Sequence, residues 1–337
     1  MSFRVRPATG EDFKAIYEMA KLTGGGFTNL PPDRTTLVEK LARSDESFAR
    51  DGEQQAGDLY MFVLEDPKAG LVRGTCQIFG QVGLTQPFFS YHLSTLTQSS
   101  PELGKTFRNQ MLSLTTDLEG SSEVGGLFLH PQSRAGGWGA LLARSRYLFM
   151  KQHRPRFGDR TLAELRGVMD QAGNSPFWDG LAGRFFGMTF PDADQFNAMH
   201  GTHFIADLMP RTPIYVALLA DSAKAVIGQP HPTGRAALRM LEEEGFTYDR
   251  YVDIFDGGPT VTAATDRIRT VRESKRETIA EIGEGGPLKM LVAAGRLRNF
   301  ACCTASVANV GEGIAIDSEA AELLGVKVGD EVLVVPR

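Results

Sequence analysis

Phe3-Arg4-Val5-Arg6 alternates apolar and charged residues, the period of a half-buried strand. Thr9 then offers an N-cap for an amphipathic helix carrying Phe13, Ile16, Met19 and Ala20, and Gly24-Gly25-Gly26 should stop it. Pro31-Pro32-Asp33 opens a second helix with Leu37, Val38 and Leu41 on its apolar face. Residues 59–65 and 70–82 read as strands around a turn at Asp66-Pro67, and residues 85–120 as an insertion of mixed structure. A short apolar strand at 124–129 leads through His130-Pro131 and a Gly-rich turn into a helix starting near Trp138. Residues 162–169 form another strand, residues 174–230 a second insertion rich in aromatic residues and Pro, and residues 233–244 a helix ended by Gly245-Phe246. Residues 251–255 read as a strand before the tight turn Asp256-Gly257-Gly258-Pro259. Past Arg276 the texture changes. Gly283-Glu284-Gly285-Gly286-Pro287 reads as a linker or exposed turn, followed by short strands, a small helix at 319–324 and a closing strand at 331–335. The fold class is therefore α/β (α+β mixed), with one large domain over 1–276 and a small β-barrel over 285–337.

Length agrees, since 337 residues exceed what one core usually organises. A net charge of -5 gives no electrostatic case for nucleic acid, while leaving room for a local basic pocket. Cys76, Cys302 and Cys303 show no CxxC and no metal-ligand spacing, as for reduced thiols in a cytoplasmic protein, and no metal site is expected. The first residues lack the pattern of a secretion signal, and no apolar run approaches the ~20 residues of a membrane span.

Arg134-Ala135-Gly136-Gly137-Trp138-Gly139-Ala140 fits R-x-x-G-x-G/A between a strand and a helix. Such a loop can converge its amides on a diphosphate at a helix N-terminus, where unpaired N–H groups and the helix dipole both favour negative charge. Gly137 and Gly139 permit close approach, Trp138 and Ala140 contribute amides, and Arg134 can add a charge-assisted contact. The order strand, loop, helix, strand, then helix-Gly-Phe-strand around residues 237–246 resembles the GNAT acyltransferases. That resemblance implies two splayed strands with acyl-CoA in the gap and a strand amide, here Leu127, polarising the acyl carbonyl.

A closer resemblance runs through Leu22-Thr23-Gly24-Gly25-Gly26, Leu127-Phe128-Leu129, Glu164-Leu165-Arg166-Gly167-Val168, Ser175-Pro176-Phe177-Trp178, His231-Pro232 and Asp253-Ile254-Phe255-Asp256-Gly257-Gly258-Pro259. On these blocks the chain resembles the arginine N-succinyltransferase family. The resemblance implies succinyl-CoA as co-substrate, with no tightly bound cofactor, and the α-amino group of L-arginine as acceptor in arginine catabolism. It places the catalytic proton donor on His231 and a succinyl-CoA contact on Leu127. It also implies a homo-oligomer, or a hetero-oligomer with a paralogous subunit. No Cys or Ser sits in a nucleophile motif, so direct attack by the amine is expected rather than a covalent acyl-enzyme.

Glu123, Glu164, Asp253 and Asp256 are candidates for receiving the acceptor's positive charges, although Asp256 equally suits its turn. The donor's free carboxylate calls for a basic or hydroxyl group, and Arg166, Ser175 and His92 are candidates. His130, His153, His200 and His203 are expected to be structural. Phe177, Trp178, Phe185, Phe186 and Phe190 should form insertion core, and residues 320–332 resemble the end of a double-psi barrel. Ornithine or another amino acid as acceptor, a non-catalytic acyl-CoA-binding subunit, and a scaffold without CoA are the alternatives.

Overall fold

One continuous hydrogen-bonded sheet runs through the protein in this computed structural model, which describes residues 3–23, 29–200 and 203–337. The expected helix stop at Gly24-Gly25-Gly26 lies outside the described residues, as do the side chains of His200 and His203. The larger region supplies β1 (Arg4–Pro7), β2 (Leu59–Asp66), β3 (Leu71–Phe79), β4 (Ser90–Ser100), β5 (Lys105–Thr115), β6 (Ser122–Leu129), β7 (Arg160–Glu164), β8 (Ile214–Tyr215), β9 (Thr247–Val252) and β10 (Pro259–Ala264). They lie in the order β1-β2-β3-β6-β7-β10-β9-β4-β5-β8.

Covering helices explain why β2 is apolar without alternation. Leu59, Met61 and Val63 face α1 (Phe13–Lys21) and α2 (Arg34–Ala49), packing with Ile16, Met19, Leu37 and Leu41. Tyr60, Phe62 and Leu64 face α3 (Trp138–Gln152), packing with Leu141, Leu148 and Phe149. A strand buried on both faces has to be apolar throughout. Asp33 caps α2 by accepting from the Thr36 amide at 2.7 Å. Val38, expected on the apolar face of α2, is instead exposed.

Residues 90–115, expected as mixed structure, form one long hairpin registered from Ser90↔Thr115 to Ser100↔Lys105. Polar outward positions at its tip hid the period-2 pattern, while Tyr91, Leu93 and Leu112 at its root pack with Phe177, Trp178 and Phe190. Phe185, expected in that core, is exposed. β9 ends at Val252 rather than continuing to 255, because Asp253 Oδ1 accepts from the Phe255 and Asp256 amides at 2.7 and 2.8 Å and turns the chain.

β11 (Lys275–Gly283), β12 (Leu288–Ala294), β13 (Ala301–Val310), β14 (Gly313–Asp317) and β15 (Glu331–Pro336) follow in the order β12-β15-β11-β14-β13, and β12–β13 pairing closes the barrel. Within residues 283–287, Glu284 and Pro287 are exposed, as in an exposed turn, but Gly285 and Gly286 are tightly packed. A Cβ on Gly285 would lie 2.2 Å from the Ser306 carbonyl oxygen, and its φ is +73°. β13 joins the barrel to the main sheet through Arg4↔Cys303 and Val5↔Cys302. Cys302 faces the main core and Cys303 the barrel interior, as strand alternation requires.

At the end of the helix Arg235–Glu243, Glu244 is buried and accepts from the Thr270 amide and hydroxyl at 2.8 Å each, with Arg144 Nε of α3 at 3.0 Å. Glu244→Ala leaves that guanidinium buried without its counter-charge, and should lower unfolding free energy by about 3–5 kcal/mol in urea denaturation.

Candidate active site

β6 and β7 are parallel neighbours for only Ser122↔Thr161 and Glu123↔Leu162, and then they part. β6 is also irregular on its other edge, where Gln77↔Gly125 is followed by Thr75↔Phe128. The extra residue places Leu127 in a bulge, with no registered partner on β3 and no strand on the β7 side. Gly126 has φ +58°, and a Cβ there would lie 2.3 Å from Gln77 Nε2, so glycine is required. A Cβ on Gly125 would meet Asn29 Nδ2 at 2.4 Å. Arg146 Nη1 donates to the Gly125 carbonyl at 3.3 Å and ties α3 to this bulge.

β6 leads through a short turn, where His130 Nδ1 accepts from the Gln132 amide at 3.3 Å, to the start of α3. The N-cap of α3 is Gly137 at φ +80°, and no side chain caps the first turn. Its first turn therefore lacks a side-chain partner, although the Ala140 amide already donates to the Gly137 carbonyl at 3.1 Å. Gly139 has nothing closer than 3.9 Å to an added Cβ, so packing does not explain its small size. Trp138 packs its ring on Phe3 at 4.7 Å and leaves its main chain in the turn. Arg134 is exposed, with Nε donating to the Leu129 carbonyl at 3.3 Å. A residue not anticipated, Arg337 beyond β15, donates to the Gly136 carbonyl and brings a second guanidinium to the loop.

Where β6 and β7 part, a group of acidic side chains converges. Glu123 accepts from Asn29 Nδ2 at 2.8 Å, and burial raises its carboxyl above the ordinary value despite that bond and the nearby Lys40. Glu164, at the end of β7, is raised well above the carboxylate range by burial and then by Asp253, Glu123 and Asp256. Burial also raises Asp253, whose amide bonds act the other way, and Asp194, which faces Asp253 as well. Burial pushes the Lys40 ammonium down to about 8. Asp256 has both oxygens on amides, Oδ2 from Gly167 at 2.7 Å and Oδ1 from Gly258 at 2.8 Å, which is the turn-forming role.

His231 is linked to this region through Arg166. Its amide donates to the Arg166 carbonyl at 2.7 Å, and its Nδ1 meets the Thr233 hydroxyl at 2.7 Å and amide at 3.3 Å. Nε2 is the nitrogen left for a substrate. Burial and the Arg166 guanidinium hold the imidazole below the usual histidine value. Among the carboxylate-receiving candidates, Ser175 is fully buried as a helix cap, accepting from the Trp178 amide at 3.1 Å, and His92 lies on the Tyr251 ring at 4.7 Å. His153 is buried, and burial with Arg296 pushes it down to about 3. All three cysteines are buried with thiols raised by desolvation, Cys76 to about 12, so none is poised as a nucleophile.

The strand gap, the uncapped helix start and the histidine lie in a chain that comparison with known proteins shows to be an acyltransferase. The family described as "Arginine N-succinyltransferase beta subunit" matches residues 3–270, and its C-terminal domain family matches residues 267–336. The chain belongs to the arginine N-succinyltransferase family. It is 40% identical over 334 residues to arginine N-succinyltransferase subunit beta of Pseudomonas aeruginosa, covering 98% of this chain and 97% of the relative. It is likewise 40% identical over 337 residues to arginine N-succinyltransferase of Escherichia coli, covering 98% and 96%. The solved structure of arginine/ornithine succinyltransferase subunit AI from Pseudomonas aeruginosa superposes with a TM-score of 0.90 at 33% identity, covering 99% of this chain and 98% of that one.

A raised carboxyl favours the folded state fully below its unfolded value near 4.5, and that stability is lost as pH rises through the folded value. Glu164→Gln should therefore melt higher than the unsubstituted protein at pH 8, with the difference closing as pH falls toward 4.5. Differential scanning calorimetry across pH 4.5–8 checks this. An advantage that grows on acidification contradicts it.

Proposed function

We propose that the chain transfers succinyl from succinyl-CoA to the α-amino group of L-arginine, giving N2-succinyl-L-arginine and CoA. The observation that carries this is one strand gap with opposite electrostatics at its two ends. An uncapped helix start with Arg134 and Arg337 suits the anionic CoA tail, and a carboxylate-rich pocket suits a dicationic amino acid. The family membership supports the same donor and acceptor.

In this mechanism Gly137, Trp138, Gly139 and Ala140 hold the diphosphate, and the thioester lies along the gap with its carbonyl at the Leu127 amide. Glu123, Glu164 and Asp253 draw in the positive charges of arginine, and a carboxylate takes the α-ammonium proton. The freed nitrogen attacks the carbonyl carbon, Leu127 N–H holds the oxyanion, the nitrogen passes its second proton to another pocket carboxylate, and the C–S bond breaks. His231 Nε2 delivers a proton to the departing thiolate. Its depressed basicity makes the imidazolium a stronger acid toward sulfur. Asp256 shapes the pocket through its two amides.

The protein acts without a tightly bound cofactor, in the cytoplasm, as an oligomer with itself or with a paralogous subunit. The relative named subunit beta supports the second arrangement. No helix among the described residues is long and apolar enough to cross a membrane. The chain divides at about residue 276 into transferase domain and barrel, and Arg337 gives the barrel a part in donor binding. Ornithine is the second acceptor to consider, because the solved relative is named arginine/ornithine succinyltransferase.

Purified chain incubated with succinyl-CoA and an amino-acid panel should release thiol and yield succinyl-arginine by mass. Binding of CoA without thiol release would instead make it a non-catalytic subunit. His231→Ala should lower kcat about 10²–10³-fold while CoA binding by calorimetry is retained. Near-normal turnover would remove His231 from the mechanism. Arg337→Gln should raise KM for the thioester about two- to fivefold, a small factor because the guanidinium is exposed.

A further inference from the structure

Arg166 follows β7 in the same extended run as Glu164. Residues two apart in such a chain share a face, and both are half-buried with buried Leu165 between them. The guanidinium therefore stands on the side of the acidic pocket, next to His231, whose amide donates to the Arg166 carbonyl at 2.7 Å. Its hydrogen-bond partner is unusual. Nε and Nη2 both point to Met169 Sδ, at 3.3 and 2.8 Å, and among the described residues no carboxylate lies within ion-pair distance. A thioether is a weak acceptor, and a partly desolvated guanidinium presents a fork that fits a carboxylate through two bonds. The acids nearest in electrostatic terms do not fill that place. Asp256 has each oxygen on an amide, and Asp194 interacts only at longer range.

Given the succinyl transfer proposed above, we propose that Arg166 receives the free carboxylate of the succinyl donor and so selects a dicarboxylic acyl-CoA over a neutral one. Ser175 is committed as a helix cap and His92 to the Tyr251 ring, which leaves Arg166 of the three candidates. Lys40 is the other cation at the pocket, where Glu123 and the Phe79 ring, 5.2 Å from Nζ, already answer its charge.

The test compares succinyl-CoA with butyryl-CoA, which has the same chain length and a methyl group in place of the carboxylate. kcat/KM for each is measured with L-arginine, and binding of each is measured by calorimetry without acceptor. The unsubstituted protein should prefer succinyl-CoA in both. Arg166→Met should cut the preference about 10–100-fold, and Arg166→Lys should restore part of it. The arginine-over-agmatine preference, which reads the acceptor's α-carboxylate, should not move. The main-chain bond to His231 survives both substitutions, and matching melting curves exclude unfolding. An unchanged donor preference in Arg166→Met overturns the assignment. So does a loss confined to the arginine/agmatine ratio, or a collapse seen in Lys40→Met but not Arg166→Met. A donor preference that shows in binding, depends on Arg166 and comes without turnover would sustain this assignment while defeating the catalytic one.

Discussion

Two parallel strands that part after a short registered stretch leave main-chain amides and carbonyls with no strand to receive them. Inside a protein such groups need partners. β6 and β7 create that situation at the centre of the sheet, and the bulge at Gly126-Leu127 extends it to the β3 side. An extended ligand able to hydrogen-bond like a strand fits the opening. Much of what surrounds it keeps it open or gives it chemistry: α3 starts at its mouth, Gly125 and Gly126 make room for Asn29 and Gln77, and Arg146 fixes the bulge to α3.

Charge is then distributed along the opening. The mouth carries an uncapped helix start, Arg134 and Arg337, whereas the root carries Glu123, Glu164 and Asp253, all raised by burial, with Asp253 raising the other two further. Crowded acids are unfavourable in the empty protein and become favourable once a cation arrives. This is a common way for a binding site to hold energy for its ligand. Arg166 stands beside that acidic group and is tied through its carbonyl to His231, so in the proposed roles donor carboxylate, leaving sulfur and acceptor nitrogen would each meet a different chemistry.

Local signals made the Gly-rich turn between strand and helix legible. Gly136-Gly137-Trp138-Gly139 lies between an apolar strand and a helix, and its positive φ values are what such glycines announce. The small helix near the C-terminus was equally local, with Asp317 accepting from the Ala320 amide at 2.9 Å. What could not be read joins distant positions. Asn29 meets Glu123 across 94 residues, and Arg337 meets Gly136 across 201. Lys40 and Asp194 carry no motif at all, and only packing brings them to the pocket. The packing of Gly285 and Gly286 was not legible, because glycines that allow strands to touch look the same in sequence as glycines that loosen a linker.

The central claim is that the opening between β6 and β7 holds the thioester. A crystal of the chain with a CoA thioester tests it directly. The diphosphate should lie on the amides of Gly137 to Ala140, with the pantetheine between the strands and the acyl oxygen at the Leu127 amide. A CoA found elsewhere on the protein, with the strands closed upon each other, would contradict it.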